Sequence, residues 1–330
     1  MKRISLVLIS LTVITMAHSR VWNRDILGEG FVQTTVSLPG EKDQSVCTVI
    51  NLQSPVNYRK AILYIHGYND YFFQSEMARQ FVDHGYNFYA LDLRRYGRSI
   101  RENNQPFSTK DLSEYYQDID SALSIIAQAG DTAVVMLGHS TGGLIAADFM
   151  ANHPSPLVKA LILNSPFLDW NLGWMENIVG GVAAIGGIFP SIRIPQGNST
   201  AYSESLLKSA HGEWDYNTDW KMPVSPPVSA GWVKAINDAQ KRLRKNKYPI
   251  KIPVLLLMSD KSIEGDQWTP EFNKADAVLD VNDIARYGKN LSTLTTVRRI
   301  RNGLHDLALS EPGSRQAYYR TIFQWLTNFS

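Results

Sequence analysis

The chain alternates short apolar runs with longer stretches in which apolar residues recur every three or four positions. A short run that is apolar throughout predicts a strand buried on both faces, and the wider spacing predicts an amphipathic helix packed against it. Predicted strands cover residues 31–38, 45–52, 61–65, 87–93, 132–137, 158–163, 253–258 and 294–300. Predicted helices cover residues 75–84, 113–129, 144–150, 229–245, 281–288 and 315–329. This alternation predicts an α/β fold with a mainly parallel sheet and helices on both faces.

The alternation stops between residues 169 and 246. No run in this block has the composition of a core strand, and the block holds five tryptophans, at positions 170, 174, 214, 220 and 232. Such a block between two strands of a parallel sheet is typical of an inserted cap. We therefore predict a core made of residues 20–168 and 247–330, interrupted by a cap made of residues 169–246. The tryptophans either line an acyl or aromatic pocket or hold together a small subdomain with little regular structure.

Residues 1–19 have the composition of a secretory signal peptide. Lys2 and Arg3 precede an apolar run, and Ala17 and Ser19 place small residues at the two positions that determine cleavage. The apolar run has about thirteen residues, which is too short for a retained anchor that spans a bilayer. We predict cleavage after Ser19 and a periplasmic or secreted protein.

The overall charge argues against one class of partner. The formal net charge is +2 for the 330 residues and falls to 0 without residues 1–19, which contain two basic and no acidic side chains. A protein with no net positive charge has no electrostatic attraction to nucleic acid, so we expect no nucleic acid partner. Cys47 is the only cysteine and cannot form an intrachain disulfide. Because no paired cysteines or clustered histidines indicate a metal site, we expect no metal and no cofactor.

One short motif carries the chemistry. Gly138-His139-Ser140-Thr141-Gly142 follows a predicted buried strand and precedes a predicted helix. A serine between two glycines in this context is typical of a sharp strand-to-helix turn that exposes a nucleophilic hydroxyl. The glycines are needed because a side chain at either position would collide where strand and helix cross. We predict that Ser140 is a nucleophile.

A nucleophilic serine needs a base, and in this arrangement the base is a histidine that follows the serine in the chain. His153 ends a helix that leads away from the active end of the sheet, and His211 lies in the predicted cap. His305 comes after the last strand, in a loop at the edge of the sheet where ligands bind. We predict that His305 is the base.

The oxyanion formed by attack on a carbonyl needs preorganised N–H donors. The backbone of Thr141 is one candidate, because it lies at the start of the helix after Ser140. The backbone of Tyr68, in the loop after strand 61–65, is the other. We assign structural roles to the remaining polar residues nearby: His66 and Gly67 shape that loop, and His139 packs beside the nucleophile.

Four motifs together resemble the monoglyceride lipase and lysophospholipase branch of the α/β-hydrolase superfamily, a group also called the serine aminopeptidases. They are HGYND at 66–70, LDLRRYGRS at 91–99, GHSTGG at 138–143 and GLHD at 303–306, within a resemblance that extends over residues 61–329 outside the cap. The resemblance implies the α/β-hydrolase fold with an inserted cap. It also implies the roles given above for Ser140, His305, Tyr68 and Thr141.

The acid that orients the histidine has more than one candidate. Asp260 lies directly after strand 253–258, where this fold normally supplies a carboxylate. Asp276 lies in ADAVLD, residues 275–280, which resembles the A-D-x-x-x-D segment of the family. If residues 261–274 loop out and return, Asp276 takes the position of the acid and Asp260 shapes the loop. We favour Asp276, with Asp280 as the N-cap of the following helix.

These observations predict a serine hydrolase that cleaves carboxylic esters of lipid-like or monoacyl substrates through a Ser140 acyl-enzyme. A peptidase that releases N-terminal residues is one alternative, in which acidic cap residues would hold a free amine: Glu204, Glu213, Asp215 and Asp219. A non-catalytic binding module on the same fold is another.

Two stretches have a composition that can bind a lipid surface: the apolar residues 178–190 and the basic run 241–247. We favour a packed cap helix for the first and a solvated helix end for the second. Membrane contact is therefore an open alternative and not a prediction.

Overall fold

The computed structural model of the protein describes residues 20–40, 44–170 and 176–329. The predicted signal peptide, residues 1–19, lies outside the described residues, as does Trp174. The strands are β1 Asn23–Arg24, β2 Phe31–Ser37, β3 Val46–Leu52, β4 Lys60–Ile65, β5 Asn87–Asp92, β6 Ala133–His139, β7 Val158–Asn164, β8 Arg193–Ile194, β9 Val228–Ser229, β10 Val254–Ser259 and β11 Thr295–Ile300. The helices are α1 Ser75–Asp83, α2 Tyr116–Gln128, α3 Thr141–Asn152, α4 Glu176–Ile188, α5 Ala201–Leu206, α6 Ala230–Lys245, α7 Val281–Gly288 and α8 Pro312–Leu326.

Nine of the described strands form one sheet in the order β1-β2-β3-β5-β4-β6-β7-β10-β11. The pairs from β1 to β5 are antiparallel, and every pair from β5 to β11 is parallel. The prediction of a mainly parallel sheet with helices on both faces, in the α/β-hydrolase fold, is confirmed. Parallel strands end at the same edge of the sheet, so the loops after β4, β6, β10 and β11 meet there.

The central strands are mostly apolar because both of their faces are covered. In β4, Ala61, Leu63 and Ile65 pack on one face of the sheet, with side chains of α2 and α3. Ile62 and Tyr64 pack on the opposite face, with side chains of α1 and α8. Successive side chains of a strand point to opposite faces, so both sets of side chains of a strand between two helical layers are buried and favour apolar residues.

Between β7 and β10 lie α4, α5, α6 and the two-residue strands β8 and β9, which is the block predicted as a cap. Ser229 caps α6, since its hydroxyl accepts a hydrogen bond from the backbone N–H of Trp232 at 3.1 Å. The residues predicted as a packed cap helix form α4, which packs against α6 and leaves Ile185, Ile188 and Phe189 exposed. None of the described helices is both long and apolar enough to cross a membrane.

The basic end of α6 differs from the predicted solvated helix end. Arg242 forms an ion pair with the buried Asp148 of α3 at 2.6 Å, and Arg244 pairs with Asp169 after β7. Both arginine side chains remain 34% exposed, so this helix end is partly solvated and partly bound to carboxylates. The ion pair of Arg242 fastens the last turn of α6 to α3.

Helices α2 and α8 begin at residues that differ from the predicted ones. A short 3-10 turn, Leu112–Tyr115, precedes α2, because the side chain of Asp111 accepts a hydrogen bond from the N–H of Ser113 and closes a tighter turn. Helix α8 begins at Pro312, three residues before the predicted start. Proline is favoured in the first turn of a helix, where its missing N–H has no intrahelical partner to lose.

Candidate active site

Ser140 lies at the junction of β6 and α3 with φ +51° and ψ −119°, a conformation that residues with a side chain rarely adopt. Backbone hydrogen bonds to both neighbouring segments hold it there. Its N–H donates to the carbonyl of Asn164 at 3.0 Å, and its carbonyl accepts from Gly143 and Phe167 at 2.9 and 3.0 Å. The turn is therefore fixed by β7 on one side and by the first turn of α3 on the other.

The glycines on either side of Ser140 are required by close backbone contacts. A Cβ at Gly138 would lie 2.6 Å from the carbonyl oxygen of Gly142, and a Cβ at Gly142 would overlap the carbonyl oxygens of Ile65 and His66. Strand β6, helix α3 and the loop after β4 therefore approach one another more closely than any side chain permits.

Ser140, His305 and Asp276 form one chain of hydrogen bonds. His305 Nε2 lies 2.9 Å from Ser140 Oγ, and His305 Nδ1 lies 2.9 Å from Asp276 Oδ2. A carboxylate only accepts, so Nδ1 carries the proton and Nε2 is left to accept from the serine hydroxyl. All three residues are buried, and Asp276 is fully so.

A loop brings Asp276 to this position. The chain leaves the end of β10, makes an excursion through residues 264–274, and returns so that Asp276 forms an isolated bridge with Ser262. The N–H of Asp276 donates to the carbonyl of Lys261 at 3.0 Å, and its Oδ1 accepts from the N–H groups of Val278 and Leu279, both at 2.9 Å. Two N–H donors and the imidazole satisfy the buried carboxylate and fix its direction.

The other two carboxylates lie elsewhere. Asp260 is exposed, and its Oδ1 accepts from the N–H of Asn302 at 2.8 Å, so it shapes the loop after β11. Asp280 caps α7, accepting from the N–H of Asn282 at 2.7 Å. Of the three candidates for the acid, the structure brings only Asp276 to His305.

The two candidate oxyanion donors, Tyr68 and Thr141, line the same cavity as Ser140 and His305. Thr141 is the first residue of α3, where the helix dipole favours negative charge. His66 has both ring nitrogens in hydrogen bonds, Nδ1 with the carbonyl of Gly67 at 2.8 Å and Nε2 with the N–H of Leu93 at 3.1 Å. With both nitrogens occupied in this way, His66 braces the loop and has no nitrogen free for proton transfer.

His139 packs with its ring centroid 4.9 Å from that of His305, and its Nδ1 lies 3.2 Å from the carbonyl oxygen of Asn164. Burial lowers the pKa of His139, although the nearby Asp306 opposes the shift. A neutral imidazole beside the candidate base does not repel the positive charge that His305 would acquire.

A cavity of about 510 Å³ opens beside Ser140 between the sheet and the cap. One part of its wall is apolar and holds Phe167, Trp170, Val179, Val182, Trp232 and Leu279. Another part holds Asn69, Asp70, Tyr216 and Lys221. Among the described lining residues, Asp70 and Lys221 are the only charged side chains apart from the histidines, and they form an ion pair at 2.9 Å.

The tryptophans of the cap divide between the two roles considered for them. Trp170 and Trp232 line the cavity, with ring centroids 6.0 Å apart. Trp214 and Trp220 instead pack against aromatic residues of the core, and Trp220 contacts Tyr71 edge-on with centroids 5.1 Å apart.

Sequence reasoning missed the groups that hold Asp306, the residue after His305. Asp306 is buried and accepts hydrogen bonds from the side chains of Gln74 and Asn164 at 2.9 and 2.8 Å. The only sequence signal was the position of Asp306 in the GLHD motif. Gln74 and Asn164 lie 232 and 142 residues away and carry no local pattern. Within the described parts of the chain, no group of three or more His, Cys, Asp or Glu side chains is arranged to hold a metal ion.

Comparison with known proteins places the chain among hydrolases. A family model described as "Serine aminopeptidase, S33" matches residues 57–265, more than half of the chain. The chain is 24% identical over 251 residues to the "Probable lysophospholipase L2" of Haemophilus influenzae, an alignment that covers 69% of this chain and 75% of the relative. It is 26% identical over 139 residues to "Phospholipase YtpA" of Bacillus subtilis, covering 42% and 52%.

Two solved structures share the fold. The monoglyceride lipase of Saccharomyces cerevisiae, solved with a substrate analogue, matches with a TM-score of 0.64 at 16% identity and covers 90% of this chain and 96% of that one. The monoacylglycerol lipase of Paleococcus ferrophilus matches with a TM-score of 0.63 at 18% identity, covering 91% and 99%. At these identities the likeness shows the fold alone.

The contact between Asp276 and His305 gives a direct test of the acid. We expect Asp276→Asn to lower the rate of ester turnover on the order of 10⁴-fold, because an amide in place of the carboxylate no longer enforces the tautomer that accepts the serine proton. Asp260→Asn, the matched control, should change the rate by less than about threefold, since Asp260 is exposed. The measurement is the turnover of a p-nitrophenyl ester by purified variants whose circular dichroism matches that of the wild type. A collapse in Asp260→Asn with Asp276→Asn still active would show that the acid is Asp260.

Proposed function

Because the chain belongs to the serine aminopeptidase S33 family of α/β hydrolases, we propose that it hydrolyses carboxylic esters of monoacyl, lipid-like substrates through a Ser140 acyl-enzyme. The family and the relatives named lysophospholipase and phospholipase support an ester-cleaving hydrolase of the lipase type. The observation that carries the finer proposal is the chain of hydrogen bonds from Asp276 through His305 to Ser140, which ends at the wall of a largely apolar cavity.

In the proposed reaction His305 Nε2 takes the proton of Ser140 while Oγ forms a bond to the carbonyl carbon of the ester. The oxyanion that results is bound by the backbone N–H groups of Tyr68 and Thr141. His305 then gives the proton to the oxygen of the leaving alcohol, the carbon–oxygen bond breaks, and an acyl-Ser140 ester remains. Water, activated by the same imidazole, repeats the sequence and releases the carboxylic acid.

The shape of the cavity supports a substrate with one acyl chain. A volume of about 510 Å³ lies within the range typical of pockets for small molecules. The apolar part of the wall offers an acyl chain an environment from which water is excluded. The polar part, around Asp70 and Lys221, is left for the leaving alcohol.

The charges in the cavity argue against the peptidase alternative. A peptidase that recognises a free N-terminal amine needs an unpaired carboxylate near the scissile bond. None of the four acidic cap residues considered for that role lines the cavity. Glu213 instead pairs with Arg315, and Glu204 accepts a hydrogen bond from Thr200. Asp70, the one acidic side chain among the described lining residues, is already paired with Lys221.

The geometry also argues against the non-catalytic alternative. A binding module has no need of a strained serine in the turn between β6 and α3, or of a buried carboxylate bound to the imidazole. Strained backbone and a buried carboxylate both cost free energy, and here Ser140 and Asp276 carry them on either side of His305.

The acyl-enzyme step predicts covalent labelling at Ser140. A fluorophosphonate probe should label the wild type and leave Ser140→Ala unlabelled, because the probe reacts fastest with a serine oxygen whose proton a neighbouring base removes as fluoride leaves phosphorus. The readout is in-gel fluorescence, with loss of labelling after heat denaturation as a control for specificity. An unlabelled wild type that also fails to hydrolyse p-nitrophenyl esters would overturn the proposed function. Turnover of aminoacyl p-nitroanilides in preference to esters would favour the peptidase instead.

The paired charges of the cavity predict a preference for uncharged leaving groups. We expect kcat/KM for a monoacylglycerol to exceed that for a lysophosphatidylcholine with the same acyl chain by about tenfold or more. A phosphate in the cavity finds no unpaired cation among the described lining residues, and burying a charge without a partner is unfavourable. Release of fatty acid from the two substrates, compared below their critical micelle concentrations, gives the ratio. Equal kcat/KM values for the two substrates would show that the cavity does not discriminate between head groups by charge.

We extend the proposal to an exported protein. The support is the sequence of residues 1–19, in which basic, apolar and small residues follow one another in the order of a signal peptide. When the full sequence is expressed in a bacterial host, the mature protein should be recovered outside the cytoplasm with Arg20 as its first residue. Mass spectrometry of the intact protein measures this. A cytoplasmic protein that retains Met1 would contradict it.

A further inference from the structure

The loop that follows β4 is fastened to the cap at four successive residues. Here residues 67–71 are called the oxyanion loop and residues 217–226 of the cap are called the clamp segment. Each contact is a hydrogen bond, and the partners run in opposite directions along the two segments. Tyr68 Oη donates to the carbonyl of Pro226 at 3.4 Å, and Asn69 Nδ2 donates to the carbonyl of Met222 at 2.9 Å. Lys221 Nζ donates to Asp70 Oδ1 at 2.9 Å, and the N–H of Asn217 donates to Tyr71 Oη at 2.7 Å.

The contact at Asn69 has two hydrogen bonds. Its side-chain amide donates to the carbonyl of Met222 and its side-chain oxygen accepts from the N–H of the same residue, both at 2.9 Å. Asn69 has a backbone φ of +49°, in the left-handed region that asparagine enters more readily than most residues. The paired hydrogen bonds therefore hold a residue whose backbone would otherwise relax to a different region.

The contact at Asp70 connects the clamp segment to the backbone beside Tyr68. One carboxylate oxygen accepts from Lys221, and the other accepts from the N–H of Gly67 at 3.4 Å. Both side chains of the ion pair are buried, with side-chain exposures of 9% for Lys221 and 2% for Asp70. Burial alone would raise the pKa of Asp70, but the charge and hydrogen bond of Lys221 hold it below its usual range. The lowered pKa favours the charged carboxylate, which the ammonium of Lys221 needs as its partner.

These contacts bear on one of the two candidate oxyanion donors. Tyr68 lies between Gly67, which Asp70 holds, and Asn69, which Met222 holds. An oxyanion hole contributes to the rate only if its donors are already in place when charge develops. Thr141, the second donor, is placed by α3 and by the turn between β6 and α3, so its position does not depend on the cap.

We propose that the clamp segment positions the oxyanion loop, with Lys221 and Met222 as the positioning residues that hold the N–H of Tyr68 toward the oxyanion. This inference rests on the proposed function. The cap is then part of the machinery for turnover as well as a wall for the substrate.

The test replaces the ion pair with neutral side chains of similar size. In the double variant Asp70→Asn/Lys221→Met no buried charge is left unpaired, so the fold is retained. We expect kcat to fall on the order of 10- to 100-fold, with the dissociation constant of the product fatty acid changed by less than about threefold, because deleting an oxyanion donor costs about 10²- to 10³-fold and here the donor is displaced. The matched control is Lys234→Met/Asp238→Asn, which removes the half-exposed ion pair within α6 of the same cap and should leave both constants unchanged.

A second variant tests the same coupling without touching a charge. Asn69→Gly removes both hydrogen bonds to Met222, and glycine adopts the φ of +49° without strain. It should give the same fall in kcat. An aliphatic trifluoromethyl ketone, which forms a tetrahedral adduct with the serine, should bind both variants more weakly by the same factor as kcat falls. The affinity for the product fatty acid should stay the same, which a merely structural role would not predict.

The outcomes separate this inference from the proposed function. Ester hydrolysis and fluorophosphonate labelling by the wild type are measured first, and their absence would overturn the proposed function. If the wild type is active and both variants keep its kcat within about twofold, the clamp segment does not position the loop. A fall in kcat that is matched by an equal loss of fatty acid affinity would also overturn the inference, since the variants would then have lost the shape of the cavity.

Discussion

The close approach of β6, α3 and the loop after β4 is the constraint on which the rest of the site depends. These three segments meet at Gly142, whose Cα faces the carbonyl oxygens of Ile65 and His66 at a distance that leaves no room for a side chain. This contact fixes where α3 starts, and with it the N–H of Thr141. The same contact fixes the end of β4, so the first residues of the oxyanion loop begin at a defined place. Ser140 then has a positive φ because the chain must reverse direction within one residue between β6 and α3.

The elements of the core could be predicted because their signals are local. Residues 61–65 are apolar throughout and form a strand covered on both faces, and the spacing of apolar residues over 229–245 corresponds to α6 within one residue. The proximity of Ser140 and His305 follows equally directly, since both lie just after parallel strands that end at one edge of the sheet. Apolar periodicity and motif position were sufficient to predict these elements, because both signals depend only on residues a few positions away in the chain.

The remaining features depend on contacts between distant parts of the chain. Sequence reasoning left Asp276 and Asp260 as alternatives, because their order relative to β10 says nothing about where a loop of eleven residues returns. The pairing of Lys221 with Asp70 joins residues 151 positions apart and leaves no pattern in either segment. The ion pairs of Arg242 and Arg244 were missed for the same reason, since a basic helix end looks alike in sequence whether water or a buried carboxylate lies opposite. The limits of the cap, residues 169 and 246, stay a prediction.

The excursion between Ile263 and Asp276 has a practical consequence for protein engineering. Its two ends are already joined, because Ile263 donates to the carbonyl of Asp276 and Asp276 to that of Lys261. Each doubling of the length of a flexible loop with fixed ends costs only about 0.6 kcal/mol. The exposed tip at residues 264–266 is therefore a place where an epitope or a fluorescent reporter can be grafted while the base of the loop keeps its geometry. A graft at Gly265 would stand eleven residues before Asp276 in the chain, at a tip that does not line the cavity.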